Sequence, residues 1–176
     1  LANMDSLTKL DDFDPNEEKK ENIVKKEVDV NAIIHAAIDD TMLQGKEKDI
    51  LTTLDIPTNI TVWGDSSLIY GIFRNLIDNS IAYAVGATTI DISCIKRDNH
   101  YEFVISDNGC GVPKEHLPHI FERFYRVDKG RTRKLGGTGL GLAIVKNAVI
   151  LHHGNITAYA TPGGGLSVKF TLPSIS

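Results

Sequence analysis

Three polar or glycine-rich segments stand in a fixed order along this chain, and each adjoins an apolar run with its own periodicity. Residues 74–79 lie inside an amphipathic run, residues 107–111 follow an alternating run, and residues 136–142 open a run that is apolar on nearly every side. Such patterns are typical of a surface helix, a half-buried strand and a central helix. The order of these runs therefore predicts a mixed α/β fold.

Length and composition limit the class of protein. With 176 residues, 41% of them hydrophobic, the chain can bury one core. No run approaches the roughly 20 apolar residues that a membrane span requires. Because the net charge is −4, the chain lacks the basic excess of a nucleic-acid binder, and no nucleic-acid partner is expected. Cys94 and Cys110 have no disulfide or metal-ligand spacing, which favours a cytosolic setting.

Periodicity and capping residues predict the individual elements. Strands are predicted at residues 23–30, 50–56, 60–63, 88–95, 101–106, 156–160 and 166–172, and helices from Asn31, from about 67 to 84 and from about 139 to 152. Asn31 and either Asp65 or Ser66 are predicted N-caps, and Gly154 is the glycine predicted to end the last helix. We expect an α/β (α+β) two-layer sandwich, in which a mixed β-sheet of about five strands packs on about three helices.

The chain also divides into two predicted regions. Apolar residues recur at three-residue spacing in residues 1–10, which indicates the tail of a helix that begins upstream. We assign residues 1–21 to this helix end and a charged linker, and residues 22–176 to one domain. Within that domain, residues 108–137 form a long irregular segment with one short helix near residues 118–125. Segments of this length are usually functional lids or disordered loops.

Asn75, Asn79 and Tyr83 fall four residues apart, so they share one side of the predicted second helix. That side borders the apolar stripe, where an unsatisfied polar group costs about 1–3 kcal/mol. An internal hydrogen-bond network is one way to satisfy the two amides. A ligand is the other, because the amide oxygen of Asn79 can coordinate a hard cation such as Mg²⁺.

Asp107 ends a predicted strand just before Gly109 and Gly111. Glycine allows positive φ angles and the close approach of a ligand to the backbone. A carboxylate fixed at this position can accept a hydrogen bond from an exocyclic amine such as that of adenine. The alternative is an ordinary Asp-Asn-Gly turn, which is common in proteins.

Gly137, Gly139 and Gly141 alternate at the start of the apolar helix. Unpaired N–H groups and the helix dipole make such a helix start favourable for phosphate. The spacing is neither that of a P-loop nor that of a dinucleotide-binding turn. Close helix packing through glycine is the alternative, although three glycines lower helix stability.

Aromatic and basic residues lie side by side in the long irregular segment. Phe121 and its neighbouring aromatics can anchor the segment to the domain, while Arg126 directs a fixed charge at a phosphate. A satellite apolar cluster is the alternative, and both interpretations can hold together. Between Glu122 and Lys134, six basic residues face two acidic ones, which suits an anionic ligand.

These four segments, in this order, resemble the N, G1, F and G2 boxes of the ATP-binding catalytic domain of bacterial two-component sensor histidine kinases. That domain belongs to the superfamily shared with gyrase, MutL and a heat-shock chaperone. The similarity extends from about Asn22 to Pro173, and the F box together with this G2 box points to the kinase branch. The matching segments are residues 73–80, 107–111, 121–126 and 137–142.

The resemblance implies that ATP and Mg²⁺ bind beneath a mobile lid formed by residues 112–138. Asn79 would bind Mg²⁺, Asn75 would help to organise metal and water, and Asp107 would bind the adenine. Arg126, near the outer phosphates, would complete the catalytic set with the two asparagines. The other residues expected to contact ATP are Tyr83, Gly109, Gly111, Phe121, Gly137, Thr138, Gly139, Leu140, Gly141 and Leu142.

The family reaction transfers the γ-phosphoryl group of ATP to a histidine nitrogen, for relay to an aspartate. Neutral imidazole is already a competent nucleophile, so the site chiefly needs positioning and charge neutralisation. The implied partners are an upstream dimerisation and phosphoacceptor domain, homodimeric in the full protein, and the receiver domain of a response regulator. The implied location is cytoplasmic, as a domain of an inner-membrane sensor protein.

Departures from the family pattern keep other functions open. Many members carry Lys or Arg just before the aromatic residue at Tyr83, where this chain has Ala82. None of the six histidines lies in the acceptor sequence His-Glu/Asp-x-x-x-Pro, so the acceptor is expected upstream of Leu1. The alternatives are a docking scaffold with degraded catalysis, an anti-sigma-type protein-serine kinase and an ATP-gated clamp.

Overall fold

The computed structural model describes residues 23–125 and 141–175, which form seven strands and three α-helices. The predicted helix end and linker at residues 1–21 lie outside the described residues. The elements in chain order are β1 (Lys26–Asp29), α1 (Val30–Glu47), β2 (Leu51–Asp55), β3 (Thr61–Gly64), α2 (Ser66–Tyr83), β4 (Thr89–Lys96), β5 (His100–Asp107), a 3₁₀ helix (Lys114–His119), α3 (Gly141–Leu151), β6 (Ile156–Ala160) and β7 (Leu166–Pro173). None of the helices formed by these described residues is long and apolar enough to cross a lipid bilayer.

Five strands form one mixed sheet in the order β2-β4-β5-β7-β6. β2 runs parallel to β4, and the other neighbours are antiparallel. β1 and β3 form a separate antiparallel pair, and Val62 of β3 bridges to Ser174 beyond β7. The prediction of a mixed sheet of about five strands that packs on helices is confirmed.

The core lies between the sheet and the helices, where the strands alternate buried apolar residues with more exposed ones. Phe73 of α2 meets Phe103 of β5 and Phe170 of β7 edge to face, at centroid distances of 5.4 and 5.5 Å. Truncation of a buried Phe costs about 3–5 kcal/mol, so this contact holds α2 firmly on the sheet. Cys94 of β4 belongs to the same core, and burial raises the pKa of its thiol to about 12.

The start of α1 differs from the prediction. Asp29, not Asn31, is the N-cap, because its extended backbone (φ −83°, ψ 99°) precedes the helix and its carboxylate accepts from the Ala32 N–H at 3.2 Å. Asn31 instead donates to the Pro57 carbonyl at 2.8 Å and accepts from the Ile60 N–H at 2.7 Å. Its amide therefore holds the loop between β2 and β3.

The start of α2 agrees with the prediction, whereas the end of α3 differs from it. Asp65 caps α2 by accepting from the Leu68 N–H at 3.1 Å, in agreement with the prediction. At the end of α3, the left-handed residue is His153 (φ 62°) rather than Gly154. Gly154 is needed for space, because a Cβ there would lie 1.9 Å from the Thr171 carbonyl oxygen.

Candidate nucleotide-binding site

The first predicted amide, Asn75, is half-buried on α2 and partly used inside the protein. Its Nδ2 donates to the Gly71 carbonyl one turn earlier, at 2.7 Å. That bond turns Oδ1 towards the first residue of α3, since a Cβ built on Gly141 would lie 3.4 Å from it. The structure therefore brings Asn75, from the segment 74–79, next to Gly141, from the segment 136–142.

Asn79 is also half-buried, one turn further along α2. Among the residues that the structure describes, its side chain makes no hydrogen bond. An internal network thus accounts for Asn75 but not for Asn79, whose partly buried amide is left for water or a ligand. Its oxygen has the chemistry that Mg²⁺ prefers. No group of three His, Cys, Asp or Glu side chains in the described ranges offers the ion an alternative site.

Asp107 is the most constrained polar residue of the site, with 4% of its surface exposed. Its Oδ1 accepts from the backbone N–H groups of Gly109 at 3.0 Å and Leu166 at 3.2 Å. Its Oδ2 accepts from the Ser80 hydroxyl at 3.1 Å. A carboxylate offers about four lone-pair sites, so Oδ2 retains capacity for one more donor. The arrangement holds the carboxylate rigidly, and its three donors do not use all of its lone pairs.

Ser80 is a site residue that the sequence analysis missed. It follows Asn79 on α2, is 7% exposed, and its hydroxyl meets the Asp107 carboxylate. The available signal was its position, because it lies four residues after Leu76 on the buried stripe. A small polar residue on an apolar stripe needs a buried partner.

Asn108, the residue between the aspartate and the first glycine, was likewise not predicted to have a role. Its Oδ1 accepts from the N–H groups of Thr88 at 2.8 Å and Thr89 at 3.0 Å, and its Nδ2 donates to the Thr88 hydroxyl. These bonds tie the glycine turn to the start of β4. The turn is therefore anchored on both sides of Asp107.

The glycines of this turn are required by internal packing. A Cβ on Gly109 would lie 2.7 Å from the Ala84 Cβ, so the turn closes directly over the end of α2. Gly111 has φ +74°, which favours glycine, and it faces the Gly165 carbonyl in the hairpin between β6 and β7. A Cβ on Gly165 would in turn lie 1.9 Å from the Asp107 carbonyl oxygen. These contacts support the packing interpretation of the glycine turn, and ligand access at the turn stays a prediction.

Tyr83 is the last residue of α2 and is half-buried beside the same turn. The Cys110 sulfur lies 3.8 Å from the Tyr83 carbonyl oxygen. The structure thus brings Tyr83 and the 107–111 turn together, as predicted for one site. Ala82, immediately before it, is half-buried and presents no charge.

The aromatic segment after the 3₁₀ helix is attached to the domain by its own side chains. Phe121 is half-buried and packs against the core. Tyr125 is hydrogen-bonded through its hydroxyl to His116 Nδ1, and its ring stacks on that of His119 at a centroid distance of 5.2 Å. The anchoring role predicted for the aromatics is consistent with these contacts.

The predicted phosphate-binding segment is described from Gly141 onward. Gly141 begins α3 next to Asn75, and Leu142 follows it, half-buried against the core. The part of the predicted lid from 112 to 125 is described, while 126–138 is not. The predicted residues outside the described ranges are Arg126, Gly137, Thr138, Gly139 and Leu140.

A polar chain on the outer side of α2 fixes the helix that carries both asparagines. Arg74 donates to the Tyr70 hydroxyl and to Asp78 Oδ2, each at 3.0 Å. The Tyr70 hydroxyl is itself hydrogen-bonded to Asp40 of α1. The hydrogen bond with Tyr70 and the charge of Asp78 raise the pKa of Arg74 above its ordinary value. These contacts hold α2 to α1 without using Asn75 or Asn79.

The chain is similar to known proteins over most of its length. The family described as histidine kinase-, DNA gyrase B- and HSP90-like ATPases matches residues 64–175. The chain is 40% identical over 146 residues to the sensor-like histidine kinase SenX3 of Mycolicibacterium smegmatis, which covers 83% of this chain and 38% of that protein. It is 37% identical over 170 residues to the sensor protein kinase WalK of Staphylococcus haemolyticus, which covers 95% of this chain and 27% of that protein.

A solved structure of the mycobacterial sensor histidine kinase MprB has the same fold. It matches with a TM-score of 0.72 and 29% identity, over 86% of this chain and 98% of that one. The chain spans less than two fifths of the length of SenX3 and WalK. The similarity thus concerns one part of those longer proteins.

Proposed function

Because the chain belongs to the family of histidine kinase-, DNA gyrase B- and HSP90-like ATPases and carries the ATP-binding domain of its sensor histidine kinases, we propose that it binds ATP with Mg²⁺ to phosphorylate a histidine. The observation that carries this proposal is the buried Asp107 carboxylate, which Ser80 bonds to the helix that carries both asparagines. Ser80 links them, since it follows Asn79 in sequence and bonds Asp107.

Asp107 is proposed to bind the amino group of adenine. Two backbone N–H groups hold its Oδ1, so that oxygen is fixed in place. Ser80 donates to Oδ2, which leaves this oxygen able to accept from an exocyclic amine. Gly109, Gly111 and Tyr83 are proposed to form the adjoining wall of the base site. A hydrogen bond to a charged acceptor contributes about 1.5–3 kcal/mol, enough for the carboxylate to select an amine over a carbonyl.

Asn79 is proposed to hold Mg²⁺ together with phosphate oxygens and water. Its side chain lacks a hydrogen-bond partner within the described residues, and Mg²⁺ usually binds through a few protein oxygens and the substrate phosphates. The bound ion would neutralise charge on the transferring phosphoryl group. Asn75 is proposed to fix the neighbouring glycine helix and, through its Oδ1, water near the metal.

The phosphate side of the site is proposed from the sequence pattern and the start of α3. Gly141 and Leu142 begin that helix close to Asn75, where a helix N-terminus favours anionic groups. The glycine-rich residues 137–140, together with Phe121 and Arg126, are proposed to complete the contact with ATP.

The acceptor histidine is proposed to lie in a dimerisation domain upstream of this chain, with a receiver domain of a response regulator as the next partner. Relatives named sensor kinases support this proposal, and so does the lack of an acceptor sequence around the six histidines of the chain. We propose a cytoplasmic location for the domain, within a membrane-anchored sensor.

A docking scaffold without catalysis is the second candidate, and Ala82 is the observation that favours it. A methyl side chain there cannot reach phosphate as Lys or Arg would. Isothermal titration with ATP and ADP, with and without Mg²⁺, tests nucleotide binding; absence of binding would favour the scaffold.

Phosphorylation of the longer parent protein should give an acid-labile, base-stable product. An acid-stable product would indicate transfer to serine instead.

A further inference from the structure

Asp65 bonds to three parts of the fold. They are the segment that enters the domain at residues 23–25, called here the incoming chain, the start of α2 and the end of α3. Asp65 Oδ1 accepts from the Leu68 N–H at 3.1 Å and so caps α2. Its Oδ2 accepts from the Val24 N–H at 3.1 Å, at the beginning of the described domain. Its own N–H donates to Nε2 of His152 at 3.0 Å, just beyond the end of α3.

His152 is built to make that contact. It is 3% exposed, and its Nδ1 donates to the Ala148 carbonyl at 2.7 Å. Because Nε2 accepts from Asp65, the ring is neutral with its proton on Nδ1, and burial lowers its pKa accordingly. A Cβ on Gly64 would lie 2.5 Å from the ring, so this position must remain glycine for the ring to fit.

The incoming chain also reaches the end of α3 directly. Lys25 Nζ donates to the Leu151 carbonyl at 3.4 Å, in the last turn of that helix. Val24 and Lys25 therefore bond to the beginning of α2 and to the end of α3, respectively. In each helix the proposed ATP-site residues lie away from these bonds, at Asn75 in α2 and at Gly141 in α3.

The geometry of the two helices makes this contact relevant to the site. Asn75 lies ten residues after Asp65, and Gly141 lies eleven residues before His152. At a rise of 1.5 Å per residue these separations are about 15 and 16.5 Å. The helices are thus an antiparallel pair with two points of contact: Asn75 against Gly141, and Asp65 against His152.

We infer that Asp65 and His152 are positioning residues for the ATP site. They form a joint that fixes α2 against α3 and ties both helices to the incoming chain at Val24. Displacement of the incoming chain would shift this joint. The shift would move Asn75 and Asn79 relative to the start of α3. The inference rests on the proposed ATP-binding function and adds a route by which an upstream segment can alter nucleotide affinity.

Two substitutions of His152 separate positioning from simple stability. His152→Gln can still accept from the Asp65 N–H, while His152→Asn retains only the bond to Ala148. Ile34→Val, in the core on α1 rather than on α2 or α3, serves as a control that lowers stability. ATP affinity with Mg²⁺ is measured at a temperature at which circular dichroism shows every variant to be folded.

We expect His152→Asn to weaken ATP binding by about fivefold or more, with wild-type affinity in His152→Gln and Ile34→Val. Wild-type affinity in His152→Asn, with a lower melting temperature like that of Ile34→Val, would overturn the inference. If the wild-type chain bound no ATP, the proposed function would fail. The joint would then be judged by whether His152→Asn, but not His152→Gln, speeds amide exchange at Val145 and Lys146 in the nucleotide-free chain.

Asp65→Asn tests the connection to the incoming chain. The Asn side chain still caps Leu68 through Oδ1 but places an N–H₂ group opposite the Val24 N–H. ATP should slow exchange of the Val24 amide in the wild type and leave it unchanged in Asp65→Asn. Equal Val24 exchange rates with and without ATP in a wild-type chain that binds ATP would contradict the connection.

Discussion

The Ser80 hydroxyl donates to Asp107 Oδ2 across 3.1 Å and joins α2 to the carboxyl end of β5. The two residues lie 27 positions apart and are both largely buried. Through this bond the helix that carries Asn79 is fixed to the carboxylate proposed to bind adenine. The metal side and the base side of the proposed site are thus parts of one rigid arrangement.

Ser80→Ala should weaken ATP binding without unfolding the domain. The substitution removes one donor from Asp107 Oδ2, and such a hydrogen bond contributes about 0.5–1.5 kcal/mol net. The expected loss of affinity is therefore about 2- to 12-fold, measured by titration calorimetry. Ser67→Ala, at an exposed position on the first turn of the same helix, is the matched control and should bind as the wild type does. Equal ATP affinities of the two variants would show that Ser80 does not contribute to ATP binding.

Asn79→Ala should abolish the Mg²⁺-dependent part of ATP binding and leave the fold intact. Within the described residues no hydrogen bond depends on this side chain, so the free energy of unfolding should change by about 0.5 kcal/mol or less. Titrations with Mg²⁺ and with a chelator, alongside urea denaturation, measure the two effects. A variant that unfolds would prove Asn79 to be structural.

Protonation of His152 should lower the stability of the domain in mild acid. Burial lowers its folded pKa below the ordinary 6.5, so between these two values the unfolded chain binds more protons. Stability from this residue is then fully present above about pH 6.5 and is lost as the pH falls towards the folded pKa. Urea denaturation from pH 8 to pH 5 should give a steeper loss for the wild type than for His152→Gln. Parallel curves would contradict the predicted protonation.

Gly154→Ala and Gly71→Ala should have opposite effects on stability. The added methyl at residue 154 would meet the Thr171 carbonyl oxygen at 1.9 Å, and overpacking typically costs about 1–3 kcal/mol. The methyl at residue 71, inside α2, has its nearest neighbour at 3.9 Å. Replacement of a helical glycine there should stabilise by about 0.5–1 kcal/mol. Thermal unfolding of both variants gives the comparison, and a stable Gly154→Ala would refute the packing role.

Local patterns predicted those parts of the fold that depend on nearby residues. Asp65 is followed by an apolar stripe at helical spacing, and both its capping role and the helix after it are confirmed. Asn31 looked equally suited to capping, yet its amide is used by Pro57 and Ile60, which lie 26 and 29 residues away. Asp29, two positions earlier, caps α1 instead.

The distinction between nearby and distant residues also applies to the candidate site. Asp107 is predicted to be a ligand acceptor because it ends a strand before a glycine turn, and that role stays a prediction. Its dependence on Ser80, and on the Leu166 N–H 59 residues away, arises only when the strands and α2 are assembled. Gly154 was assigned to the helix end from its position, whereas its actual constraint is a carbonyl in β7.

The central claim, that Asp107 accepts from the amino group of adenine, is tested most directly by comparing ATP with inosine triphosphate. Inosine carries a carbonyl in place of that amine. The wild-type chain should prefer ATP by about 10- to 150-fold, the equivalent of about 1.5–3 kcal/mol for a hydrogen bond to a charged group. In Asp107→Asn, Oδ1 keeps its two backbone donors and an N–H₂ group replaces Oδ2, so the preference should vanish or reverse. The exposed Asp98→Asn variant should retain the preference. Equal affinity of the wild-type chain for both nucleotides would contradict the account.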